Sequence, residues 1–403
     1  MSTDFVHRDL PRRAPTEPAY ATELVATMLA AARQNGASDV HWLPVSGAFE
    51  IWWRVDGVLQ RAARLPAEVG PRAVARLKVL AQLLTYQTEV PQEGRIREAA
   101  DSVEMRVSTF PTLFGEKAVV RLFVGSGEFR FLSNLGLVPE IQRDLERLLN
   151  ETGGAILISG PAGSGKTTTL YACLRELLRD DAPRRNIVTL EDPIEAVVEG
   201  TAQSQINPTA GFDMETGLRS LMRQDPEVMM LGEIRDRSTA EIAFQAALTG
   251  HLVLTTFHAA SAAATISRLS DMGIEPYLLR SGVLAIVNQR LVRKLCTCSL
   301  PDDNPVNRLG LPVEHHRRAV GCAECRNTGY RGRMVLSEML IPEPDEIGRG
   351  ILSCNDTAQL ERLAVAAGMV PRWQRAIDAV NAGVTSPSEV RRVLGFSRGD
   401  AHE

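Results

Sequence analysis

The sequence has no run of about 18 apolar residues, the length a membrane-crossing helix needs, so none is expected in its 403 residues. Met1 to Tyr20 is polar and rich in proline and arginine. It lacks the apolar centre of a secretory leader, so no signal is expected there. No sign of charge dominates either. The 45 basic and 49 acidic side chains give a net charge of -4. Of these, 15 basic and 14 acidic lie in residues 1–125, which leaves 30 and 35 for the rest. A chain without a basic half or stripe has no electrostatic footprint for general nucleic-acid binding. There is no internal repeat and no low-complexity tract. Cysteine is scarce, six in all. Two close pairs, Cys296/Cys298 and Cys322/Cys325, suggest a metal more than a disulfide. Cys173 and Cys354 have no partner in sequence and are expected to be buried as small apolar residues.

What remains is an ordinary globular composition, 44% apolar and 23% charged, at a length that suggests two to three domains. One stretch organises it. Gly160-Pro161-Ala162-Gly163-Ser164-Gly165-Lys166-Thr167 fits G-x-x-x-x-G-K-[ST]. Ala155 to Ser159 reads as a buried strand ahead of it. Thr168 to Arg179 reads as a helix behind it, with Leu170, Leu174, Leu177 and Leu178 on one side. The motif therefore lies between a strand and a helix N-terminus, where backbone amides and the helix dipole favour an anion. Lys166 would reach the β- and γ-phosphates of a nucleotide, and the Thr167 hydroxyl would hold Mg²⁺.

Taken in order, residues 1–18 read as a disordered lead. Residues 19–125 read as an α+β domain. Its elements are a helix over Glu23–Asn35, strands at Ser38–Trp42 and Phe49–Val55, a hairpin turn at Asp56-Gly57, a helix over Pro71–Leu84, and strands at Gly94–Ile96, Ser102–Ser108 and Lys117–Phe123. Residues 126–134 form a linker, polar at its start. From residue 135 to 403, apolar strands alternate with helices, which implies a mostly parallel sheet covered on both faces. Its later strands are Asn186–Leu190, Val228–Leu231 and Leu252–Thr256. Ser238 to Glu241 reads as the capping box of a helix ending at Leu248. Residues 292–334 form a cysteine-bounded insert, and residues 341–403 a helical tail over Ala358–Ala367, Pro371–Ala382 and Ser386–Leu394.

Acidic and imidazole side chains follow the strand ends, where ligands bind in open α/β sheets. Glu191 and Asp192 follow the first, Glu233 the second and His258 the third. Nucleotide hydrolysis needs one carboxylate to direct water and another to hold Mg²⁺ through its waters, roles that Glu191 and Glu233 can divide. Arginines that could meet the phosphates are Arg95, Arg106 and Arg121 of the first domain, with Arg219 and Arg223 as a further pair on one helix face.

These residues resemble the secretion ATPases of type II secretion and type IV pilus assembly. The resemblance runs from about residue 20 to the tail. It includes the phosphate loop with its Thr167–Tyr171 extension, the segment Thr189–Glu195, the segment Leu218–Asp236 and the segment Thr249–His258. In the first domain it includes Ala37–His41, Arg54–Val58, Arg76–Lys78, Pro91–Arg95, Arg106–Ser108 and Gly115–Lys117. It implies a RecA-like P-loop domain preceded by a PAS-like α+β domain. It further implies a cytoplasmic hexamer, peripheral to the inner membrane, that hydrolyses ATP with Mg²⁺. Partners would be an inner-membrane platform and secretion or pilus assembly proteins, without nucleic acid. By resemblance Glu191 activates water, Glu233 is the Mg²⁺ partner with Thr167, His258 senses the γ-phosphate beside Lys166, Gly160 to Thr168 hold the nucleotide, and Arg95, Arg106 and Arg121 contact phosphates. The family's two C-x-x-C pairs hold a structural metal, zinc by resemblance. Here Cys322/Cys325 keeps that spacing and Cys296/Cys298 is one residue short, with His315 or His316 as substitute ligands. Only a helix-sized lead precedes the first domain, where many members carry a further domain that docks on an inner-membrane platform protein, so the resemblance does not carry that docking mode over. Type II secretion is the leading reading, with pilus extension or retraction as the alternative. The insert argues against retraction, the charge balance against a nucleic-acid motor, and intact Lys166, Glu191 and Glu233 against a non-hydrolysing ring member.

Overall fold

The computed structural model describes residues 10–11, 13–97, 104–122, 129–179, 184–342 and 345–396. The chain divides into two compact units, Met1–Gly125 and Ser126–Glu403. The polar link read at Gly125–Glu128, and the lead at 1–9 and 12, fall outside the described residues.

The first unit begins with helix α1 (Tyr20–Gln34), which buries Leu24, Val25, Met28, Leu29 and Ala32, the spacing of one helical face. Strands β1 (Ala37–Val45), β2 (Ala48–Val55) and β3 (Val58–Pro66) form a meander. Helix α2 (Val69–Leu80) follows, and then β4 (Gln92–Arg97), β5 (Glu104–Thr112) and β6 (Gly115–Leu122). Together they make a sheet in the order β3-β2-β1-β6-β5-β4, with antiparallel neighbours throughout. The core lies between this sheet and the two helices, with Trp42, Phe49, Ile51, Trp53, Leu77 and Met105 at its centre. The strands of β1 and β2 are longer than their alternating segments suggest, because the Ser46-Gly47 turn brings Leu43–Val45 and Ala48 into the ladder.

The second unit starts with α3 (Pro139–Leu148), followed by β7 (Gly154–Ser159), α4 (Lys166–Leu177), β8 (Ile187–Glu191) and β9 (Ala202–Gln205). Then come α5 (Met214–Leu221), β10 (Val228–Leu231), α6 (Arg237–Leu248), β11 (Leu252–Phe257), α7 (Ala262–Asp271) and α8 (Pro276–Gly282). Two long strands, β12 (Val283–Leu295) and β15 (Tyr330–Leu340), flank a short pair, β13 (Leu300–Pro301) and β14 (Arg317–Arg318). Helices α9 (Glu346–Leu352), α10 (Thr357–Ala366), α11 (Arg372–Asn381) and α12 (Pro387–Leu394) complete it. The sheet order is β15-β12-β7-β11-β10-β8-β9, parallel except where β15 meets β12. Every residue of β7, β8, β10 and β11 is buried, as a parallel sheet covered on both faces requires. One core lies under α5 to α10 and another under α3 and α4, so both faces are covered.

Three sequence expectations change. The cap of α6 is Asp236, whose carboxylate accepts from Thr239 N; the Ser238 box is two residues late because Asp236 already holds extended backbone at the turn. Sequence periodicity does not mark strands β12 and β15, since polar Asn288, Gln289, Arg290, Ser337 and Glu338 break their apolar pattern at buried or half-buried positions. Cys354 is exposed, not buried, at positive φ just past α9. Among the described residues no helix is long and apolar enough to cross a membrane.

Candidate functional site: a phosphate loop and a cysteine knuckle

Parallel pairing aligns Leu157, Thr255, Leu231 and Leu190 across four strands, so the segments after them emerge side by side. Backbone bonds stitch these segments together: Gly232 N donates to Leu190 O at 2.9 Å and Ile234 N to Thr256 O at 3.1 Å. The phosphate loop emerges at the same edge. Gly160, at φ 146°, permits a close turn; a Cβ there would stand 2.6 Å from both Gln289 O and Ser164 Oγ. Gly165, at φ 88°, precedes α4 as an N-cap without a side chain, which leaves the first amides of that helix open to an anion. The Ser164 hydroxyl is buried in the loop without a hydrogen-bond partner. These features fit a polyphosphate. Lys166 Nζ meanwhile donates to Gly160 O (3.1 Å) and Pro161 O (2.9 Å), wrapping the loop on itself. Burial pulls its ammonium below the ordinary value; the charges of Glu233 and Glu195 oppose this and that of Arg290 adds to it.

Glu233 faces an arginine and a histidine. Its carboxylate accepts from Arg235 Nε, and its Oε2 lies 3.2 Å from His258 Nε2. Arg235 also reaches Asp192 at 3.4 Å, and Arg268 donates to the His258 carbonyl. The acid and imidazole expected at the strand ends are thus brought into contact. Glu191 is not part of that contact. It is 3% exposed, and it accepts from Tyr171 Oη, from Thr189 Oγ1 (2.6 Å) and from Gln203 Nε2 (3.1 Å). Tyr171 Oη in turn accepts from the amides of Glu195 (3.1 Å) and Ala196 (3.3 Å), so it ties α4 to the segment after β8. Sequence reasoning left Glu195 without a role. Its side chain is exposed and its charge is felt by Lys166. The signal was its place in Asp192-Pro193-Ile194-Glu195, where the chain has already left the strand. Thr167 and Thr168 open α4, both half-buried. Arg219 pairs with Glu215 at 2.9 Å on α5, whereas Arg223 lies past that helix and donates to Arg219 O.

In the first unit the register places Arg95 opposite Arg106, Arg106 opposite Arg121, and Arg121 opposite Asp39. Asp39 pairs with Arg121 at 3.1 Å and with Arg54 at 3.6 Å. Like charges directly opposite on adjacent strands repel. The row runs on through Asp39 to Arg54, so four guanidinium groups share one face with a single carboxylate, an excess of positive charge that favours an anion.

The four cysteines converge, all sulfurs lying within 4.8 Å of one another. Cys296–Cys322, Cys298–Cys325 and Cys322–Cys325 are each 3.8 Å apart. Zinc–sulfur bonds of about 2.3 Å in a tetrahedron give sulfur separations of about 3.8 Å. The set fits zinc, and the short C-x-C pair closes on it. Burial works against ionising Cys325, yet the amides of Cys322 (3.1 Å) and Gly329 (3.2 Å) bring its thiol down to about 6. Neither histidine joins: His316 is buried 3.9 Å from Asp302, and His315 is exposed.

A family model described as "Type II/IV secretion system protein" matches residues 15–392. The putative type II secretion system protein E of Escherichia coli K12 is 40% identical over 380 residues, covering 92% of this chain and 76% of that protein. The type II secretion system ATPase E of Vibrio cholerae is 40% identical over 380 residues, covering 92% and 75%. Among solved structures, the Legionella pneumophila ATPase DotB matches with a TM-score of 0.69 at 23% identity, over 96% of this chain and 97% of that one, a likeness of fold. The phosphate loop, the carboxylate–histidine contact and the cysteine knuckle occur in a chain so matched along most of its length, and this chain belongs to the type II/IV secretion system protein family.

Proposed function

We propose that this chain is a motor ATPase that hydrolyses ATP to drive type II protein secretion. It works as a hexameric ring, peripheral to the inner membrane from the cytoplasmic side, and engages an inner-membrane platform of the secretion machinery. The observation that carries the reading is the phosphate loop with its open helix end beside the Glu233–His258 pair. Gly160 to Thr168 cradle the phosphates, and Lys166 leaves its two carbonyls to bind them. Mg²⁺, held by Thr167 and Glu233, would neutralise charge on the β- and γ-oxygens. His258 reports the γ-phosphate through its contact with Glu233. Because Glu191 is locked inward by Tyr171, Thr189 and Gln203, we assign water activation to Glu195 and buried support to Glu191. The row Arg95, Arg106 and Arg121 supplies positive charge to the phosphates. The zinc knuckle is structural.

Lys166→Ala is expected to abolish ATP hydrolysis by the purified chain and secretion of a type II substrate in cells that depend on it. Wild-type turnover in that variant would overturn the assignment of the phosphate loop. Loss of pilus extension with secretion intact would replace type II secretion by pilus assembly.

A further inference from the structure

Strand β12 brings three consecutive side chains to the loops of the phosphate site. It pairs with β7 as far as Asn288 opposite Ser159, the last residue of β7. Beyond that point β7 turns into the phosphate loop while β12 continues beside it. Asn288 Nδ2 donates to Ser159 Oγ (2.9 Å) and to Ala259 O (3.3 Å), next to His258. Arg290 Nη2 donates to Ala260 O at 3.0 Å. Between them Gln289 turns to the phosphate loop itself. It is 1% exposed; its Nε2 donates to Ser164 O at 2.9 Å and its Oε1 accepts from Thr169 Oγ1 at 3.0 Å. Its Nε2 also stands 3.1 Å from where a Cβ at Gly165 would lie, and its backbone O 2.6 Å from a Cβ at Gly160.

The arrangement has a physical cause. A loop whose amides converge on an anion turns carbonyls the other way. A carbonyl turned into the protein needs a donor, and leaving a buried one unpaired is costly. The Ser164 carbonyl receives that donor from Gln289, and the same side-chain amide is fixed at its other end by the first turn of α4. Both polar atoms of the Gln289 side chain are thus taken up by the loop and the start of α4.

We propose that Gln289 is a positioning residue of the nucleotide site: it holds the phosphate loop in its anion-binding shape by bridging Ser164 O to Thr169. This rests on the reading of Gly160–Thr167 as the nucleotide loop. The test uses the full chain, a fluorescent ADP and steady-state ATP hydrolysis, with Lys166→Ala alongside. Gln289→Leu keeps the volume and removes both bonds. It is expected to weaken ADP binding about five-fold or more and to raise KM for ATP by more than it lowers kcat. Unaltered far-UV circular dichroism and melting temperature would show that the fold is kept. ADP affinity within two-fold of wild type in folded Gln289→Leu would overturn the proposal. Should that variant not fold, Thr169→Val, which removes one of the two bonds, decides the matter: a two-fold or greater loss of ADP affinity supports the bridge, and unchanged affinity overturns it. If Lys166→Ala binds ADP and hydrolyses ATP as wild type does, it is the nucleotide-loop reading that fails, and with it the premise of the bridge.

Discussion

Two carboxylates of one short segment end in opposite environments. Glu191 closes β8 and inherits the strand's burial, so its oxygens must be satisfied inside, and Tyr171, Thr189 and Gln203 do so. Glu195 has left the strand and is exposed. The distinction predicts different defects. Glu195→Gln is expected to lower kcat by 10²-fold or more, the order of a lost general base, with ADP affinity and melting temperature unchanged. Glu191→Gln is expected to lower the melting temperature along with activity, because it alters a buried hydrogen-bond network. A stable Glu191→Gln variant that binds ADP normally but does not turn over would return the water-activating role to Glu191.

At the scale of elements, β12 joins several parts of the second unit. It borders β7, backs the phosphate loop, ends at Leu295 just before Cys296 of the knuckle and is clamped by α12. The clamp is Glu389, which accepts from Arg293 N (2.9 Å), Arg293 Nη2 (2.7 Å) and Arg392 Nη2 (2.6 Å) with its side chain fully buried. Burial alone would raise its carboxyl; the bonds from Arg392 and Arg293 outweigh this and hold it below the ordinary value of 4.5. A carboxyl lowered in the fold contributes stability above its ordinary value and loses it as pH falls through the lowered one. Glu389→Gln is expected to cost about 3–5 kcal/mol at pH 7, read from urea unfolding of the second unit. The gap to wild type should narrow on acidification below 4.5. A gap that does not change with pH would show that the charge of Glu389 is not what holds α12 to β12.

At the scale of the molecule, the two units present different side chains. The second unit carries the phosphate loop; the first carries a register row of arginines that only sheet pairing assembles. If the row supplies charge to the phosphates, Arg106→Ala should lower kcat for ATP at least 10-fold, the lower range for losing one charged donor, and leave ADP affinity within about two-fold. Equal loss of binding and turnover would point to a role in the fold of the first unit instead.

Local signals in the sequence determined much of this. The eight-residue phosphate motif, the largely apolar strands around it and the cysteine pairs name their own chemistry, because each depends on residue type at short spacing. The strand ends bearing Glu233 and His258 were legible for the same reason. Other features depended on contacts between residues distant in sequence. Glu191 and Glu195 look alike as letters, and only burial against Tyr171 and Gln203 separates them. The short C-x-C pair closes on the knuckle because Cys322 and Cys325 are brought to it from the far side of the insert. Gln289 and Glu389 look like ordinary polar surface until strand pairing and helix packing bury them. A buried polar group must find a partner, and the partner is set by tertiary structure.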